Sequence, residues 1–146
     1  MRIAIKYGLL ITLVVAVWII VTHFVVPLPP SSKLNLLGPL LFNFAAIIAI
    51  YLGIKERKAE SDMNFKTGIK TGLAISLVYA ISACLFFLLL LLIVGPSMMA
   101  NEPMAADSPF WRVVLGAFAG MFFGSLILGL VYSTIISFFL ARRYQR

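Results

Sequence analysis

Lys55–Lys70 reads KERKAESDMNFKTGIK, and the reading of this stretch decides the fold. It is the only long polar run in the interior of a chain that is 62% hydrophobic, with a mean hydropathy of +1.07. It carries five of the twelve Lys and Arg residues and three of the five acidic ones. Two long apolar runs lie on each side of it. A helix of about 20 apolar residues crosses the ~30 Å hydrocarbon core of a bilayer. Soluble domains are nearer to about 45–50% apolar, and a chain of 146 residues has too little polar sequence to hide four such runs in a soluble core. Lys55–Lys70 is therefore read as a cytoplasmic hinge joining two membrane hairpins. The expected fold class is all-α: an integral membrane four-helix bundle forming one domain over residues 1–146.

The first span is expected over about residues 7–26, where Pro27, Pro29 and Pro30 end it, because proline cannot continue helical hydrogen bonding. MRIAIK resembles the start of a signal peptide, but the run behind it is long and no A-x-A site follows, so this span is read as uncleaved. The second span covers about residues 36–54, with Asn35 as its expected cap and Gly38-Pro39 in its first turn. Ser61 or Asp62 is the expected cap of a third helix, and Phe65, Ile69 and Leu73 would lay an apolar face on the membrane surface before the span at about 71–95. Pro96 ends that span. The fourth covers about residues 113–141, with Phe110 and Trp111 as interfacial aromatics at its start.

Lys and Arg divide ten against two between the two sides of this arrangement. Arg2, Lys6, Lys55, Arg57, Lys58, Lys66, Lys70, Arg142, Arg143 and Arg146 share one side; Lys33 and Arg112 share the other. The positive-inside rule makes the basic side cytoplasmic, so both termini are predicted inside and both short loops outside. The formal net charge of +7 then points to anionic lipid headgroups as the partner, not nucleic acid, since the basic residues sit at the ends of apolar runs. The single cysteine, Cys84, permits no intrachain disulfide.

The two hairpins carry a possible repeat. Ile5–Ala16 reads IKYGLLITLVVA and Ile69–Ala80 reads IKTGLAISLVYA, identical at eight of twelve positions. Both copies enter from the same side, so a duplication would be parallel and not inverted.

No Asp, Glu, Lys or Arg lies within the four span cores, which argues against an ion-coupled transporter. Ser125 and His23 lie at different depths and no G-x-S-x-G occurs, so a serine hydrolase is rejected. His23 reads as interfacial, for it has no Cys, Asp or Glu nearby to complete a ligand set. Asn43 reads as interhelical glue, with a polar pocket shared with His23 as the alternative. Met98, Met99 and Met104 offer thioethers for Cu(I), but without His or Cys they make a weak site. No catalytic, cofactor or metal site is expected.

The fourth span carries two rows of small residues at four-residue spacing, on opposite helix faces. Gly116, Gly120 and Gly124 form one; Ser125, Gly129, Ser133 and Ser137 form the other. Such rows let helix backbones approach closely in lipid. One row suffices for packing within the bundle, which would leave the second for a partner, most simply a second copy; the alternative is that both rows pack internally, with the fourth span central. The fourth run also exceeds the hydrocarbon thickness and must tilt, kink near its glycines or project. The third is long as well, so the second hairpin is expected to be the longer.

KYGLL at 6–10, YLGIKERK at 51–58 and NFKTGIKTGLAIS at 64–76 together resemble a bacterial membrane family of unknown function, domain of unknown function 4199. Gly8, Gly53, Phe65, Gly68 and Gly72 are the matching positions. The resemblance implies a four-span protein of the bacterial inner membrane and implies no activity.

The leading functional expectation is a non-enzymatic membrane protein acting through helix–helix association as an accessory or scaffold subunit. A second is an oligomeric facilitator or exporter of lipophilic or neutral solutes, which would need a midplane cavity lined by Asn43, Tyr79, Ser82 or Tyr132. A third is a lipid or stress sensor using the basic hinge as an electrostatic switch.

Overall fold

The computed structural model describes residues 1–25, 37–60, 64–95 and 109–142. Four helices account for nearly all of them: α1 (Arg2–Ile20), which continues into a π-helical turn at Val21–Val25, α2 (Leu37–Glu60), α3 (Phe65–Val94) and α4 (Phe110–Arg142). Each is long and apolar enough to cross a membrane. The second hairpin is the longer one, with 30 and 33 residues in its helices. At 1.5 Å per residue α4 runs ~50 Å as one continuous helix.

The polar stretch is less of a loop than its composition suggested. α2 runs through Lys55, Glu56, Arg57 and Lys58 to Glu60, and α3 starts at Phe65. Lys, Glu, Arg and Ala are good helix formers, so charge here does not end the helix. Arg57 and Glu60 pair one turn apart at 3.5 Å. Basic residues in the last turn of α2 also suit the negative end of its dipole. The cap of α3 is Asn64, whose side-chain oxygen accepts from the Thr67 amide at 2.8 Å and the Thr67 hydroxyl at 2.9 Å. The expected caps Ser61, Asp62 and Asn35 lie outside the described residues. At its other end α3 stops at Gly95, which adopts a positive φ of 83° and donates its amide to the Leu91 carbonyl.

α3 packs against α4, α1 and α2; α2 also packs against α1 and α4, while the backbones of α1 and α4 do not approach each other closely among the described residues. The section is therefore a rhombus with α2 and α3 on its short diagonal. Lys6 meets Glu56, Gly68 meets Ser137 and Lys58 meets Leu140, so the starts of α1 and α3 and the ends of α2 and α4 share one end of the bundle. The core gathers Ile11, Ile50, Ile54 and Ile75, with Ala49 and Tyr7 around them. Leu13, Phe44, Leu92, Ile127 and Phe139 point outward, as a helix bundle in lipid requires.

The second small-residue row of α4 is taken up inside this bundle. Gly129, Ser133 and Ser137 face Ser76, Gly72 and Gly68 of α3, in that order. The two helices run antiparallel, and at each level a glycine on one helix receives a serine from the other. A methyl group on any of the three glycines would overlap the facing serine. The matching row on α3, Gly68, Gly72 and Ser76, has the same four-residue spacing as the row on α4.

The candidate repeat is used alike in burial and differently in partners. Gly8 and Gly72 are both buried, as are Ile11 and Ile75. Gly8, however, lies against Val78 and the Ile75 carbonyl of α3, whereas Gly72 lies against Ser133 of α4.

Candidate functional site

The first small-residue row of α4 leads to the site. A Cβ built on Gly120 or Gly124 meets nothing within 4 Å. Both glycines line a partly open cavity of about 270 Å³ whose walls come mainly from α2 and α4, with Ser76 and Tyr79 of α3 and Ile11 of α1 behind them. Gly116, the remaining member of the row, is exposed. The cavity is there because α4 carries glycine at positions 120 and 124 and no neighbouring side chain comes within 4 Å of where their Cβ atoms would stand.

Asn43 sits on the cavity wall about two turns into α2. Its Nδ2 donates to the Pro39 carbonyl at 2.7 Å, and its Oδ1 accepts from the Tyr132 hydroxyl of α4 at 2.5 Å. An amide facing hydrocarbon needs such partners, because water is not there to supply them. Ser125, which lines the cavity with Tyr79, donates to the Met121 carbonyl at 2.6 Å. Ser76 donates to the Gly72 carbonyl at 3.0 Å. Among the described residues no Asp, Glu, Lys, Arg or His lines the cavity. The remaining walls are apolar or aromatic, including Phe42 and Leu128.

The partner of Asn43 is thus Tyr132, not His23. His23 lies exposed in the π-helical turn with its ring edge-on to Phe24, 4.9 Å between centroids, and is absent from the cavity lining. The reading of a polar pocket shared by His23 and Asn43 is corrected accordingly. Asn43 as interhelical glue describes the bond to Tyr132. Of the residues expected around a cavity, Asn43, Tyr79 and Tyr132 line it; Ser82 instead meets the Thr12 hydroxyl at 2.5 Å between α3 and α1.

The basic end is held together by specific contacts that the charge count did not reveal. Lys6 Nζ and the Tyr7 hydroxyl both reach Glu56 Oε2, at 2.7 and 2.6 Å. Lys58 donates to the Leu140 carbonyl at 3.0 Å, in the last turn of α4 where helix carbonyls lack partners. Lys55, Lys66 and Lys70 are exposed. Arg142 ends α4, and Arg143 lies outside the described residues, as do Met98, Met99 and Met104. Among the described residues no three His, Cys, Asp or Glu gather as a metal site would require.

A family model matches residues 6–102, from the start of α1 through α3. Gly8, Gly53, Phe65, Gly68 and Gly72 all fall inside the match, and the four glycines among them are points of close helix approach. No curated protein and no solved structure matches the chain. With about two thirds of its length covered by that model, the chain belongs to the family described as "Protein of unknown function (DUF4199)".

Proposed function

We propose that the protein is a non-enzymatic multi-pass protein of the bacterial inner membrane that binds a neutral, lipophilic solute in the cavity between α2 and α4 and eases its passage through the bilayer. The single observation that carries this reading is the cavity itself: an apolar space with a few polar groups and, among the described residues, no Asp, Glu, Lys, Arg or His in its lining. A charged solute there would lose its hydration without gaining a counter-charge, which is costly. Small-molecule sites have this general make-up of apolar walls and few placed polar groups. The basic end is proposed to face the cytoplasm, with Lys55, Lys66 and Lys70 toward anionic headgroups.

The reading as an association subunit rested on a small-residue row left over for a partner. Of α4's two rows, Gly129, Ser133 and Ser137 meet α3, and Gly120 and Gly124 face the cavity. Apart from the exposed Gly116, the glycines of both rows have a use within one chain, and this favours the solute reading.

The test is equilibrium dialysis of naphthalene against the protein in nanodiscs, with empty nanodiscs as the baseline. Saturable binding above that baseline is expected, and Gly120→Leu with Gly124→Leu should abolish it by filling the space. Binding no greater than that of empty nanodiscs, or unchanged by the filling substitutions, would overturn the proposal.

A further inference from the structure

We infer that the cavity selects a compact neutral alcohol or phenol, held by its hydroxyl at the Asn43–Tyr132 pair. The inference rests on the solute reading above and adds the chemistry of the ligand.

Asn43 has two amide hydrogens and an oxygen with two lone pairs. One hydrogen goes to the Pro39 carbonyl and one lone pair to the Tyr132 hydroxyl. The second N–H and second lone pair are left over. Tyr132 donates its only hydroxyl hydrogen to Asn43 and keeps its own lone pairs. Side by side on the cavity wall, the pair therefore presents one donor and several acceptors. A hydroxyl, which donates one hydrogen and accepts at its lone pairs, matches both. An ether or ketone matches only the donor, and a hydrocarbon matches neither. A carboxylate would bring a charge into a lining that has no cation among the described residues.

Size and shape narrow the class further. A cavity of about 150 Å³ suffices for benzene, so 270 Å³ admits a bicyclic or medium-chain skeleton. Phe42, Tyr79 and Tyr132 supply aromatic surface and Met121 an adaptable side chain, which suits flat apolar bodies. The gap above Gly120 and Gly124 is where that body fits.

Two probes of one skeleton test the inference: 1-naphthol, neutral at pH 7, and naphthalene, each measured by dialysis against the full chain in nanodiscs. The expected result is that naphthol binds about five- to tenfold more tightly than naphthalene, the worth of about one hydrogen bond. Asn43→Leu should remove that preference, bringing the two probes to equal affinity. Tyr132→Phe, which keeps the ring and deletes the hydroxyl, should reduce it in the same direction and serves where Asn43→Leu fails to fold. Equal affinity for the two probes, or a preference that survives both substitutions, overturns the inference while the solute reading stands. Binding of neither probe overturns the solute reading and this inference together.

Discussion

Ser133 of α4 stands so close to Gly72 of α3 that a methyl group on the glycine would overlap the serine's Cβ. This contact is the middle step of a three-step interface in which the glycine stands on α4 at one level (Gly129) and on α3 at the other two (Gly72 and Gly68). In a bilayer the apolar side chains gain little by leaving lipid, so close backbone approach of this kind carries much of the association.

Gly72→Ala is accordingly expected to lower stability by about 1–3 kcal/mol, the usual range for overpacking. Gly120→Ala removes the same residue type from a helix of the same bundle but enters open space. It should be neutral, or stabilising by up to about 1 kcal/mol through helix propensity. Unfolding midpoints in a mixed-detergent titration compare the two. Equal losses would mean that the α3–α4 interface is not the tight one.

Glu56 gathers Lys6 and Tyr7 on one carboxylate oxygen. Tyr7 is buried, so its hydroxyl depends on that oxygen more than the exposed ammonium of Lys6 does. Tyr7→Phe should lower the thermal midpoint in the parent chain. In a Glu56→Gln background the same change should cost clearly less, because the pair acts as one unit. Additive effects would show that the three side chains do not depend on each other.

Lys58 reaches across to the Leu140 carbonyl at the end of α4. Lys58→Met keeps the stem and removes the charge and donor. The expected result is faster amide hydrogen exchange over the last turn of α4, with a stability loss of about 0.3–1 kcal/mol for a cation at a helix C-terminus. Exchange in the body of α3 should stay unchanged.

Ten of the twelve Lys and Arg residues are expected on the cytoplasmic side. A cysteine at Lys55, with Cys84→Ser as background, should resist a membrane-impermeant maleimide in whole cells and react in inverted vesicles. The opposite pattern would reverse the proposed orientation and move the cavity to the other half of the membrane.

Some features were legible because they depend on a count along the chain. Four apolar runs of sufficient length give four helices, since backbone polar groups in lipid must satisfy each other within a segment. The gathering of basic residues at one end of the bundle follows from where they stand relative to those runs. The close contacts at Gly8, Gly53, Gly68 and Gly72 fall on the positions that carried the family resemblance. The start of α3 was less legible. Ser61, Asp62 and Asn64 are all capping residues by type, and Asn64 was distinguished only when its side chain was found on the Thr67 amide.

The hinge itself divides the same way. Its composition determined that the chain turns back near Lys55–Lys70 and that its charges stay at one end of the bundle. The tertiary structure decided that most of it is helix, that Glu56 serves α1, and that Lys58 serves α4. It also decided which of α4's two small-residue rows packs and which leaves a cavity. One chain position fixes a residue's depth and the face it occupies on its own helix. Which neighbouring helix lies against that face depends on how all four pack together, and no local spacing encodes it.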